Sequence, residues 1–158
     1  MRKILLSVLS FMCVFNLIFS LSSISADAAE NTDTLTSYEH LPDGSFIVTC
    51  TSIDSTARSS GTITAHRTKY YKDASGNNLW SVTVTGTFTY NGSSSQCTNS
   101  SVNAQSYNSD WKIYSTNASR SGNTATATGT AQTYYKNTVI NTYSLSVSLT
   151  CDKNGNLS

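Results

Sequence analysis

The chain has 158 residues, with ten Lys or Arg, nine Asp or Glu, a formal net charge of +1 and only 12% charged side chains. A near-neutral, charge-poor chain has no basic footprint for nucleic acid and no net attraction toward anionic lipid. Ser and Thr dominate the remainder, a composition that resembles exported adhesive or structural β-proteins.

Met1-Arg2-Lys3 carries two positive charges, an apolar run extends from Ile4 to about Ile24, and Ala26-Asp27-Ala28 has small-x-small form. This is the pattern of a secretory signal peptide over residues 1–28, cut after Ala28 or nearby. The apolar run is also long enough to span a bilayer with tilt, but the position of Ala26-Asp27-Ala28 favours cleavage. The expected location is therefore secreted, extracellular or cell-wall associated, with no membrane contact after cleavage. About 130 residues remain past the leader, the size of one domain.

Residues 29–44 are polar and aperiodic apart from the turn Pro42-Asp43-Gly44, and read as a flexible lead. A β-domain is expected over 45–158. Its first strand runs from Phe46 to about Ile53 and its second from about Thr62 to Tyr71, ended by the turn-rich Asp73-Ala74-Ser75-Gly76-Asn77-Asn78. In the second, Ile63 and Ala65 belong inside, but the same face next offers Arg67 and Lys69. The reading adopted is an exposed edge whose charges block sheet-to-sheet association.

The third strand, Leu79 to Tyr90, has the clearest pattern. Large apolar residues occupy the even positions and hydroxyls every odd position from Ser81 to Thr89, so one face is buried and one is wet. Trp80, Val82, Val84, Phe88 and Tyr90 point inward, and Gly86 marks a bulge or a close approach. Asn91-Gly92 signals a hairpin. A fourth strand lies within Gln96 to Tyr107, a fifth runs from Trp111 to about Ser115, a sixth from about Thr124 to Tyr135, and a seventh from about Val139 to Cys151. The small row Ala125, Ala127, Ala131 fits against the bulky row of the third strand. The fold class is all-β, an antiparallel, immunoglobulin-like β-sandwich of about seven strands.

Three cysteines follow the leader, Cys50, Cys97 and Cys151. In an exported chain thiols point to disulfide chemistry, and an odd count leaves one over. Cys97–Cys151, Cys50–Cys151 and Cys50–Cys97 pairings are all open, as is none within the chain. A Cys97–Cys151 bridge would close a loop of about 55 residues, worth about 4 kcal/mol in the chain-entropy model. A spare Cys50 could link a homodimer.

Nine tyrosines and two tryptophans are many for so few charges. Tyrosines on a sandwich surface stack on sugar rings or anchor interfaces. The candidates are Tyr70, Tyr71 and Tyr134. Tyr134 faces away from the core by phase, and one of Tyr70 and Tyr71 must. An extracellular glycan or cell-wall polymer is the expected partner class. For a nucleophilic triad only His66, with Asp54, Asp73 or Asp110, stands out, and no catalytic motif accompanies it, so no enzyme is expected. Asp152-Lys153-Asn154-Gly155-Asn156 looks like a calcium loop but has one carboxylate and no closing Glu, so it reads as a turn. No metal or other cofactor is expected.

The segments Leu79-Trp80-Ser81-Val82-Thr83-Val84, Cys97-Thr98, Trp111-Lys112-Ile113, Ser121-Gly122-Asn123-Thr124-Ala125, Thr150-Cys151 and Gly155-Asn156-Leu157-Ser158, in that order, resemble small secreted proteins of Gram-positive, Clostridia-type bacteria. The resemblance covers about 62–158. It implies that Cys97 and Cys151 occur as a pair while Cys50 is the spare. It implies no activity. The expected role is non-catalytic extracellular binding or surface association, with a carbohydrate-binding module, a bacteriocin or toxin-like protein, and a self-associating structural subunit as the three versions.

Overall fold

A computed structural model describes residues 35–53 and 61–158. The expected signal peptide over 1–28, residues 29–34 and Asp54 lie outside the described residues.

Eight antiparallel strands form two sheets, and the described residues contain no helix. The five-stranded sheet runs β1 (Leu35–His40), β2 (Phe46–Ile53), β3 (Thr62–Lys72), β4 (Asn78–Tyr90) and β5 (Ser95–Ser106). The three-stranded sheet runs β6 (Trp111–Ser121), β7 (Thr124–Tyr135) and β8 (Thr138–Thr150). Strand β1 falls in the stretch read as a flexible lead. It pairs along all of its length with β2, Tyr38 opposite Val48 and His40 opposite Phe46. Its sequence, LTSYEH, alternates too weakly to announce a strand; the partner edge supplies what the local pattern lacks. Hydrogen-bonded neighbours are always consecutive in sequence, and the chain changes sheet only between β5 and β6. Each sheet is thus a meander. The immunoglobulin order would interleave the two sheets through Greek-key connections, and this order does not.

The turns follow from their residues. Asn91 Oδ1 accepts the N–H groups of Ser93 and Ser94 at 3.0 and 2.9 Å, closing the β4–β5 hairpin with Gly92 at φ +82°. Asp73 and Asp152 open two turns of the same Asp-x-x-Gly-Asn form. In each, one carboxylate oxygen accepts the backbone N–H groups two and four residues on, and the other accepts the Asn side-chain amide, all at 2.8–2.9 Å. The Asp152 carboxylate is thus occupied by its own loop, as a turn requires.

Trp80, Val82, Val84 and Phe88 of β4 are fully buried, as are Ala125, Ala127 and Ala131 of β7 and Leu149 of β8. The small row does meet the bulky one. A methyl added at Gly86 would lie 2.6 Å from the Phe88 ring and 3.0 Å from Ala125 Cβ, and one added at Gly129 would lie 3.2 Å from Val82. Of the two readings of Gly86 the close approach applies: Gly86 pairs in register with Ala65 and Ser100, and the irregularity nearby falls between Thr87 and Phe88, where Thr98 of β5 is left unpaired.

Strand β3 corrects the edge reading. It is internal, paired with β2 on one side and β4 on the other. The phase does not flip at His66: Arg67 and Lys69 lie opposite the core residues Val84 and Val82. The three-stranded sheet covers β3, β4 and β5 but not β1 and β2, so this part of β3 faces the open margin of the smaller sheet. Arg67 uses that margin. Its Nε donates to Thr51 Oγ1 and its Nη1 to the Ser148 carbonyl of β8, both at 2.7 Å, which ties the two sheets together.

Candidate functional site

The outer face of the five-stranded sheet is mostly hydroxyl. Thr64 pairs with Thr87 at 3.0 Å and Thr68 with Thr83 at 2.8 Å, so these hydroxyls satisfy each other across β3 and β4. At the β3–β4 turn end this coat gives way to aromatic side chains. The register places Tyr38, Val48, Tyr70 and Ser81 in one row across β1 to β4. Phe46 and Cys50 share that face on β2, and Tyr107 follows β5.

Tyr38, Phe46, Val48, Cys50, Tyr70, Lys72, Asn78 and Tyr107 line a depression of about 540 Å³. Val48, at 6% exposure, is the most buried of them, and Tyr38 and Tyr107 stand well out at 66% and 45%. The Tyr70 and Tyr107 rings lie 6.3 Å apart, tilted by 35°. Ser81 Oγ and Tyr107 Oη share a hydrogen bond of 3.3 Å, which fixes that wall. Lys72 Nζ sits 6.0 Å over the Tyr70 ring and donates to the Gly76 carbonyl at 3.2 Å. Burial, followed by the neighbouring Tyr107 and Cys50, raises the Tyr70 pKa, so its phenol stays protonated through neutral pH. Among the described residues no carboxylate lines the depression. The described residues that line it offer aromatic faces, phenol hydroxyls, the Cys50 thiol, one ammonium and one amide.

The three tyrosines singled out from the sequence go to three different places. Tyr70 lines the depression. Tyr71 is only 4% exposed and belongs to the core, stacked on Tyr143 at 4.6 Å and edge-on to Trp111 at 5.4 Å, so it is not a surface residue. Tyr134 lies on the other sheet, where its hydroxyl donates to Gln132 Oε1 at 2.8 Å and Lys112 Nζ sits 5.1 Å over its ring. Tyr38, Phe46, Val48 and Tyr107 complete the site and were not singled out. The shared phase of Phe46, Val48 and Cys50 was the available signal. It resembled a buried row, and only the pairing with β1 and β3 shows that it faces outward.

The expected Cys97–Cys151 bridge is absent: none of the three described cysteines is in a disulfide. Cys97 and Cys151 are both buried beside the β6–β7 turn, where their N–H groups donate to the carbonyls of Gly122 and Asn123 at 2.8 and 3.0 Å. The Cys97 thiol donates to the Asn99 carbonyl at 3.1 Å, and burial raises the pKa of both thiols. Cys50 is half-buried within the depression, so a bridge from it to a second chain would lay that chain over the site.

His66 lies between Ser52 and Thr85 in the register. Asp73 is seven residues further along, about 20 Å of extended chain. The strand register therefore separates these two members of the triad considered from the sequence.

Compared with protein-family models, with curated proteins and with solved structures, the chain matches none.

Proposed function

We propose that this is a non-catalytic, secreted binding protein that holds a carbohydrate in the aromatic-walled depression on the outer face of its five-stranded sheet. The observation that carries the reading is the replacement of a self-satisfied threonine coat by Tyr38, Phe46, Tyr70 and Tyr107 around one concavity. Sugar rings present apolar C–H faces and a hydroxyl rim, and these walls offer aromatic faces next to phenol hydroxyls and an ammonium. The site is formed by strands and a hydrogen-bonded wall, so little ordering cost accompanies binding. Secretion through the leader at 1–28 belongs to the same proposal.

The test is affinity electrophoresis of the domain through gels containing plant, fungal and bacterial cell-wall polysaccharides. At least one polysaccharide should retard it, and Tyr70→Ala should weaken that retardation by about 1–2 kcal/mol, roughly five- to thirtyfold in Kd. Absence of retardation in every gel, or equal retardation of Tyr70→Ala, contradicts the reading.

A further inference from the structure

The β7–β8 hairpin reaches beyond the rest of its sheet. Strand β6 begins at Trp111, opposite Thr133, so among the described residues Tyr134 and Tyr135 have β8 as their only strand partner. The two-residue turn Lys136-Asn137 closes the ribbon with both residues at positive φ, 47° and 64°. Tyr134 and Val139 lie opposite one another, Tyr135 and Thr138 form the next pair, and Ile140 falls in the register shift beside Thr133 and Tyr134. Side chains alternate along a strand, so Tyr135 and Tyr134 point to opposite faces of the ribbon. Tyr135 and Ile140 are 62% and 64% exposed, and Tyr134 and Val139 37% and 43%.

An isolated two-stranded ribbon is marginal in water, and apolar side chains on both of its faces are not covered by docking on one flat protein surface. Penetration into a layer that surrounds the tip covers them all. Charge points the same way. From Trp111 to Cys151 the sequence holds Lys112, Arg120 and Lys136 and no Asp or Glu. The near-neutral net charge of the chain hides a three-stranded sheet that is purely cationic. Lys112 and Lys136 hold their ammonium groups 5.1 and 5.3 Å over the rings of Tyr134 and Tyr135, at the base and tip of the ribbon.

We propose that the β7–β8 tip is a membrane-docking element that seats Tyr135, Val139 and Ile140 in the interfacial layer of an anionic lipid surface, with Lys112 and Lys136 on the headgroups. Tyrosine favours that layer, and amphipathic elements of this kind bind through apolar area plus attraction to anionic lipid. This site is independent of the depression on the other sheet.

The test is cosedimentation of the chain from Ala29 onward, which contains both sheets and the core cluster, with vesicles of phosphatidylcholine alone or mixed with phosphatidylglycerol. Binding should require phosphatidylglycerol. At about 1 kcal/mol per lysine near an anionic surface, Lys112→Gln with Lys136→Gln should weaken it about 30-fold. Tyr135→Ser with Ile140→Ser should weaken it at least about tenfold. Tyr135→Trp should show a blue-shifted fluorescence on the mixed vesicles, which reports burial of the tip without deleting apolar surface. The proposal is overturned by equal binding to pure phosphatidylcholine, by no binding to either vesicle, or by a Tyr135→Ser/Ile140→Ser variant that binds like the parent. Dimerisation of the parent that this variant abolishes also overturns it, since the tip would then be covered by a second copy.

Discussion

Gly86→Ala tests how the two sheets meet. Glycine in a strand interior is intrinsically unfavourable, and alanine there gains about 0.5–1 kcal/mol from backbone entropy alone. The packing opposes this. The added methyl would stand 2.6 Å from Phe88 Cε2 and Cζ and 3.0 Å from Ala125 Cβ, about 1 Å inside normal contact. The Phe88 ring is fully buried and cannot swing into solvent, so either it leaves its rotamer or the sheets separate locally. Overpacking of this kind costs about 2–3 kcal/mol, which leaves a net loss of about 1–2 kcal/mol and a fall in Tm of about 5–10 °C. Phe88→Leu should destabilise on its own by leaving a cavity. The two together should cost at least about 1 kcal/mol less than their sum, because the smaller side chain vacates the space the methyl needs. Thermal and urea unfolding of the four proteins measure this. Additive losses, or a Gly86→Ala domain as stable as the parent, would refute the close approach of β4 to β7.

Arg67→Met should cost about 1–2 kcal/mol in urea unfolding, since it leaves the buried Thr51 hydroxyl and the Ser148 carbonyl without their shared donor, and Arg67→Lys should recover little because an ammonium cannot span both acceptors. The carboxyls of Asp43, Asp73 and Asp152 are held below their ordinary pKa, first by the side chains of Ser45, Asn77 and Asn156 and then by backbone N–H groups. Depressed acids stabilise the fold above their unfolded pKa of about 4 and lose that contribution as pH falls below it, so Tm should be flat from neutral to about pH 5 and drop further down, less steeply in Asp73→Asn/Asp152→Asn. All three thiols should react with Ellman's reagent after unfolding, whereas in the native protein the buried Cys97 and Cys151 should react much more slowly than Cys50.

The sequence carried most of the fold because hydroxyl and apolar residues alternate so regularly. The bounds of β2 to β5, of β7 and of β8 fall within a residue or so of the pattern, and β6 extends beyond it because Thr116 to Ser121, with Ala118 as its one apolar residue, alternates too weakly to show yet still pairs with β7. Strand β1 and the internal place of β3 were not legible, since both depend on which strands pair beside them, whereas the phase that puts Arg67 on the face of Ile63 and Ala65 was. The site was half legible for the same reason. Tyr70 stood out, but whether Phe46 and Val48 point toward the core or away from it is decided by their partners on β1 and β3. The charge segregation between the sheets was written in the chain, as the acid-free stretch from Trp111 to Cys151, and a net charge near zero concealed it.

The most direct test of binding at the depression is amide chemical-shift mapping with a soluble oligosaccharide from a polysaccharide that retards the domain. Binding there predicts a contiguous set of shifts at Tyr38, Val48, Cys50, Tyr70 and Tyr107 across β1, β2, β3 and the end of β5. Shifts confined to the three-stranded sheet, with these amides unmoved at saturation, would contradict it.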